Sequence, residues 1–252
     1  MEVIYGINPI NILLRHKQPG LEKIIVASGK SGSSLKEIIK LASQKEISVE
    51  FQHRKYLDDL AGCPDHQGVV GLRPPFVYAH INDIITNRCT SFNFDLILIL
   101  DSIMDPQNLG SIIRTAHCWG TNGVVIPTDR AASVTASAIK ASAGSAEQIP
   151  IVRATNLAQS IDYLKEKGFW VFGADAHEGQ NLRELDFNCH TVLVMGGEAK
   201  GIRPLVKKKC DFLLSIPMAG NFDSLNVGVA TGIIQYEIFC QRRDTKNSQS
   251  RV

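Results

Sequence analysis

The chain has 252 residues, 44% hydrophobic and 21% charged, and its 27 basic and 25 acidic side chains leave a formal net charge of +2. Those proportions exclude gross disorder and a disulfide scaffold, and they exclude a polycation that would hold nucleic acid by bulk charge. The length fits one large domain or two modest ones.

Charge is also even along the chain, with ten Lys/Arg against eight Asp/Glu in residues 1–75 and seventeen against seventeen beyond. Any nucleic-acid role must therefore rest on local features, of which Lys207-Lys208-Lys209 and Arg242-Arg243 are the candidate basic patches. The six cysteines (Cys63, Cys89, Cys118, Cys189, Cys210 and Cys240) form no C-x-x-C pair, which argues against a zinc site or redox dithiol. No metal is expected. The N-terminus lacks the basic start and apolar core of a signal peptide, and no segment has membrane-spanning length, so a reducing, cytoplasmic setting is the expectation.

In chain order, apolar periodicity predicts a helix over Val3–His16, a strand over Leu21–Ala27 and a serine-started helix over Ser33–Lys45. Short strands at Ser48–Gln52 and Gly68–Leu72 flank a helix around Lys55–Leu60. Residues 1–75 thus read as a small α/β domain. Two adjacent prolines at 74–75 and a polar, weakly periodic stretch mark 76–92 as a linker.

The run Leu96-Ile97-Leu98-Ile99-Leu100 is continuously apolar, as expected of a strand buried on both faces of a parallel sheet. Similar runs at Gly123–Ile126, Trp170–Gly173, Val192–Met195 and Phe212–Ile216 alternate with helical patterns at Ser111–Cys118, Ser133–Ala143, Leu157–Lys167 and Leu225–Gln241. This alternation predicts a doubly wound α/β domain over 93–244 with its ligand at the strand carboxyl ends. Residues 245–252 have the composition of a disordered tail.

Three stretches follow predicted strands. In Asp105-Pro106-Gln107-Asn108-Leu109-Gly110, Pro106 stops the strand, Gly110 permits a tight turn into a helix, and Arg114 follows one turn in. Alone, this reads equally as a loop with helix-start residues and a solvated arginine. In Gly196-Gly197-Glu198-Ala199-Lys200-Gly201 the paired glycines allow close backbone approach to a ligand, although such turns are often merely tight. In Ile216-Pro217-Met218 and Ser224-Leu225-Asn226-Val227, Ser224 could also be simply the cap of the last helix. Neither the G-x-x-x-x-G-K-[ST] phosphate loop nor the G-x-G-x-x-G dinucleotide fingerprint is present, which disfavours a nucleotide-dependent dehydrogenase.

Together, D-P-x-N-x-G-x-x-x-R-T-A, G-G-E-x-x-G and I-P-M with S-L-N-V, in this order, resemble the SpoU/TrmH group of the SPOUT RNA methyltransferases. Residues 1–75 resemble the L30e-like RNA-binding module that precedes the catalytic domain in the RlmB-type branch. That likeness rests on Gly6 and His66-Gln67-Gly68, with Pro9 standing where the module carries a small residue. The resemblance implies a SPOUT domain with a parallel sheet and a deep trefoil knot, and a homodimer whose site is completed across the interface. It also implies transfer of a methyl group from S-adenosylmethionine (SAM) to a ribose 2′-hydroxyl, with a guanosine of 23S ribosomal RNA as the target. The alternatives are a tRNA ribose methyltransferase and a non-catalytic RNA-binding ribosome-assembly factor.

By the same resemblance, SAM lies against Gly196, Gly197, Ile216, Met218, Leu225, Asn226 and Val227, and the polar site residues are Asn108, Arg114, Glu198, Ser224 and Asn226. Arg114 is the family's usual candidate base. A guanidinium stays charged in water, however, so a clamp on the target nucleotide, with Glu198 or a substrate oxygen receiving the proton, is physically simpler. No histidine falls within the three stretches, and His117 reads as a packed helix residue.

Overall fold

Where the apolar pattern of Val3–His16 predicts one helix, two elements form: strand β1 (Glu2–Tyr5) and helix α1 (Ile7–Arg15), divided by Gly6 at φ 98°. Its φ lies outside the helical range, and Val3, Ile4 and Tyr5 are drawn instead into sheet pairing. The structure is a computed structural model that describes residues 1–16, 20–86, 92–198, 200–220 and 224–249, without the side chains of 244–249. The first domain continues with β2 (Lys23–Ala27), α2 (Ser33–Gln44), β3 (Ser48–Gln52), α3 (Arg54–Ala61) and β4 (Val69–Arg73). Its sheet has the order β1-β4-β2-β3, with β4 antiparallel to both neighbours. Helix α2 is preceded by Gly32 and has no side-chain cap, so Ser33 does not play the capping role its type suggests.

The linker is more structured than its composition implies. Phe76 donates its N–H to Glu2, the Tyr78 hydroxyl accepts from Val134 N–H, and a short helix α4 (Ile81–Thr86) follows. The remainder of its predicted span, 87–91, lies outside the described residues.

The second domain runs β5 (Leu96–Asp101), α5 (Pro106–Cys118), β6 (Gly123–Pro127), α6 (Ala136–Ala141), β7 (Ile151–Ala154), α7 (Leu157–Glu166), β8 (Trp170–Ala174), β9 (Gln180–Asn181), β10 (Thr191–Gly196), α8 (Pro204–Lys207), β11 (Phe212–Ser215) and α9 (Val227–Gln249). Its seven strands are all parallel in the order β7-β6-β5-β10-β8-β11-β9. Alternation along β5 explains the two-sided burial. Leu96, Leu98 and Leu100 enter the cluster that holds α5, α6 and α9, while Ile97 and Ile99 enter the one that holds α4, α7 and α8. Strand β7 was not anticipated, because exposed Arg153 and its four-residue length leave little apolar pattern. The backbone of α9 stays helical to Gln249, five residues into the segment whose composition suggests disorder, and 250–252 lie outside the described residues.

The two domains share apolar packing. Ile4, Ile10, Leu13 and Leu14 belong to the same buried cluster as Leu109, Ile112 and Ile139. A largely buried ion pair, Arg73 with Glu147, crosses the junction, and Lys140 of α6 lies 5.6 Å above the Tyr5 ring.

The candidate basic patches are largely spent on structure. Arg242 is buried, and its guanidinium donates to the carbonyls of Phe187, Phe94, Asp95 and Cys189 and to the Thr191 hydroxyl, tying α9 to the amino ends of β5 and β10. Burial lowers its pKa to about 10, still high enough to keep it charged at neutral pH. Lys207 pairs with Asp175 and Glu178, and Lys209 with Asp162. The five described cysteines are free.

Gly110 is not a turn residue. It lies inside α5, where a Cβ would sit 2.5 Å from the Ala141 Cβ and 2.9 Å from the Ser142 amide nitrogen, so α5 and α6 meet through a bare backbone. Gly110→Ala should destabilise the protein by about 2 kcal/mol, because the helices must separate to admit a methyl group. Urea unfolding would read this as a lower midpoint at unchanged slope.

Candidate functional site

Parallel pairing sets Asp101 opposite Gly196, so the loops after β5 and β10 leave the sheet side by side. The first climbs through Ser102, which adopts φ 66°, to Asp105, whose carboxylate caps α5 by accepting from Gln107 N–H at 2.9 Å. Pro106 occupies the first turn, where its missing N–H is harmless. Asn108 then faces the second loop.

That loop depends on two glycines. A Cβ on Gly196 would lie 2.6 Å from the Gly201 carbonyl oxygen, and one on Gly197 would press into the Ser102 peptide, so larger residues are excluded. Gly201 N–H donates to the Gly197 carbonyl at 2.9 Å, which closes a tight turn carrying Glu198 at its tip.

Here the polar residues of the three stretches converge. Asn108 Nδ2 donates to Glu198 Oε1, and Asn108 Oδ1 accepts from Asn226 Nδ2 at 3.2 Å. Asn226 Oδ1 in turn accepts from Gly228 N–H at 2.9 Å and Val229 N–H at 3.3 Å. The cap of α9 is therefore Asn226, because the helix starts at Val227 and leaves Ser224 too early to reach it.

Beside this triad lies a cavity of about 550 Å³ at the carboxyl edge of the sheet. Six of the seven expected cofactor contacts line it (Gly196, Gly197, Ile216, Met218, Leu225 and Val227), together with Glu198 and Ser224; exposed Asn226 does not line it and donates to Asn108 instead. Arg114 stands apart, exposed two turns into α5 rather than one, with no acceptor for its guanidinium among the described residues.

The fold adds residues that motif reading did not anticipate. Asp175, Ala176 and His177 reach the cavity from the carboxyl end of β8, so a histidine does stand at this wall although none lies in the motifs. Only the neighbouring position of β8 in the sheet brings them there. The apolar side is completed by Met195, Leu214, Ala230 and Ile234. Burial opposes ionisation of Asp175, but hydrogen bonds from the Lys207 ammonium and from the N–H groups of His177 and Glu178 outweigh it and hold its pKa below the usual carboxylate value. Asp101, fully buried, accepts from the Arg203 backbone N–H at 2.8 Å, from Arg203 Nε at 2.6 Å and from the Ser102 hydroxyl at 3.1 Å. The described residues contain no cluster of His, Cys, Asp or Glu that could hold a metal ion, and no described helix is long and apolar enough to cross a membrane.

Comparison with known proteins gives a consistent picture. Residues 95–236 match the sequence model of the SpoU rRNA Methylase family, and residues 3–78 match that of RNA 2′-O ribose methyltransferase substrate binding. A TrmH family tRNA/rRNA methyltransferase of Staphylococcus aureus (strain MSSA476) is 40% identical over 224 residues, 89% of this chain and 90% of that protein. One from Bacillus subtilis (strain 168) is 41% identical over 222 residues, 88% and 89% of the two chains. The crystal structure of the SpoU methyltransferase AviRb from Streptomyces viridochromogenes, solved in complex with its cofactor AdoMet, superimposes with a TM-score of 0.78. It is 24% identical over 96% of this chain and 90% of that one, which is a likeness of fold.

The depressed pKa of Asp175 gives its ion pair with Lys207 a definite pH dependence. The stabilisation is present above the unfolded carboxylate value of 3.8 and is lost as pH falls through the lower folded value. The melting temperature of the wild type should therefore exceed that of Asp175→Asn at neutral pH, and the gap should close below about pH 4.

Proposed function

The chain belongs to the SpoU rRNA methylase family, and from that premise we propose that it methylates a ribose 2′-hydroxyl in RNA with SAM as donor, its target a guanosine of 23S ribosomal RNA. The observation that carries the proposal is the meeting of Asn108, Glu198 and Asn226 at the lip of a cavity lined by the Gly196-Gly197 turn.

The residues present fit SAM. The volume of about 550 Å³ lies within the range of small-molecule sites. Apolar Leu214, Ile216, Leu225 and Val227 suit an adenine ring, and the Gly196-Gly197 backbone can approach polar groups closely. When bound, SAM supplies a methyl group made electrophilic by its sulfonium. The chain must then orient the hydroxyl and receive its proton as the new bond forms. Glu198 gives one oxygen to Asn108, and its second remains to accept that proton. Asn226, tied both to Asn108 and to the start of α9, fixes the amide so that it keeps donating to Glu198. Ser224 adds a hydroxyl at the cavity wall. Arg114, always charged, clamps the phosphate beside the target ribose through its planar fork of donors.

The SPOUT knot belongs to the same reading. The strand order β5-β10-β8-β11 supports it, since the chain leaves β10 in the interior of the sheet and returns as β11 on the far side of β8. A homodimer is supported by α9, where Val229, Ile233 and Tyr236 are 53%, 39% and 51% exposed at helical spacing, with Tyr236 5.2 Å from the Trp119 ring. The first domain addresses the RNA. Free cysteines among the described residues accord with a reducing, cytoplasmic setting.

With labelled SAM and unmodified ribosomal RNA or tRNA, label should appear on a ribose 2′-oxygen of 23S RNA. Label on a base or only on protein would refute the reading, and label on tRNA would move the substrate. Glu198→Gln should lower turnover by roughly 100-fold while SAM and RNA still bind. Ile233→Asp should convert a dimer into an inactive monomer in light scattering, since a buried charge opposes that apolar contact.

A further inference from the structure

We propose that Asp101 and Arg203 are positioning residues for methyl transfer, a clamp that holds Glu198 and the glycine wall of the cofactor cavity in register. The inference rests on the reading of that cavity as the SAM site and of Glu198 as the proton acceptor.

The geometry is specific. The loop from Gly196 to Arg203 carries Glu198 at its tip and supplies Gly196, Gly197, Lys200 and Gly201 to the cavity wall. Its near end leans on Ser102 through Gly197, where no side chain fits. Its far end is held by Asp101, whose carboxylate accepts from both the backbone N–H and the Nε of Arg203. Both anchors lie on consecutive residues at the carboxyl end of β5, the strand that leads into the turn bearing Asn108. Displacement of either anchor therefore moves Glu198 relative to Asn108, across a hydrogen bond that joins the two loops.

A fully buried carboxylate is costly unless it is paired and hydrogen-bonded. A small apolar residue would end β5 without that cost but would leave the backbone N–H and Nε of Arg203 without this acceptor, so what the aspartate adds is its hold on the loop. The Arg203 side chain is 44% exposed, so its replacement leaves no new cavity in the core. Neither residue lies within the three motifs.

The test uses the full chain under single-turnover conditions with saturating SAM and RNA. Arg203→Gln should slow methyl transfer roughly 10- to 100-fold and weaken SAM binding, while RNA affinity stays within about twofold of wild type. In a double-mutant cycle with Glu198→Gln, the second substitution should add little, since both disable the same contact. A simple structural role predicts a lowered melting temperature with unaltered single-turnover rate, or fully additive losses, and either result would overturn the proposal. Asp101→Asn should reproduce the kinetic loss; if it fails to fold, Arg203→Gln and Arg203→Lys carry the test, Lys restoring charge but not the Nε donor and thus only part of the rate. Wild-type protein that neither binds SAM nor transfers label would defeat the underlying functional reading, whereas active wild type with fully active Arg203→Gln would defeat the clamp alone.

Discussion

Parallel pairing of Leu96–Asp101 with Thr191–Gly196 is the constraint on which the site depends. Both strands are buried on both faces, so each must be apolar along its length and can turn polar only where it leaves the sheet. Register then puts Asp101 opposite Gly196, and two loops distant in sequence start within one hydrogen-bonded step of each other. The glycine pair lets them approach without side chains between them. Once that approach is made, Asn108 and Glu198 have little choice but to meet.

The same edge of the sheet separates two chemical environments. Carboxyl ends of β8, β10 and β11 contribute a largely apolar wall, with Met195, Leu214 and Ile216 on one side and α9 residues Val227, Ala230 and Ile234 on the other. Polar groups gather at the rim in a chain running from Glu198 through Asn108 to Asn226. Each amide in that chain both donates and accepts, so neither can rotate without losing a partner. Helix α9 serves two purposes. Its first turn anchors the polar chain, and Arg242, about four turns along, pins the opposite edge of the sheet by donating to carbonyls that flank β5 and β10.

The first domain is joined to this scaffold by more than a tether. Helices α1 and α6 share a buried cluster, and Arg73 with Glu147 closes the junction in a largely buried setting. Apolar contact supplies the attraction, whereas a buried ion pair contributes mainly by penalising arrangements that would leave either charge unpaired. The first domain thereby acquires a defined orientation toward the first turn of α5, which bears Asn108, and Gln107 of that turn donates to Ser137 at the start of α6.

Much of the architecture was legible in local pattern. The unbroken apolar run at Leu96–Leu100 and its counterparts identified a two-sided parallel sheet, because only burial on both faces tolerates such runs. Motif order identified the residues that converge, although not their contacts. Local pattern failed where a neighbour in space overrode it. Val3–Tyr5 became a strand because β4 offered partners, and Gly110 proved to be a packing contact instead of a turn. Asn226 replaced Ser224 as the cap of α9, and Arg242 left the expected surface patch for the interior. Asp175 and His177 carry no motif, and they reach the cavity only because β8 lies beside β10. Composition and periodicity thus marked the long apolar strands β5, β6, β8, β10 and β11, since burial there depends on each residue's own affinity for water. Which loops face one another was decided by strand order and register, long-range pairings that no local stretch of sequence encodes by itself.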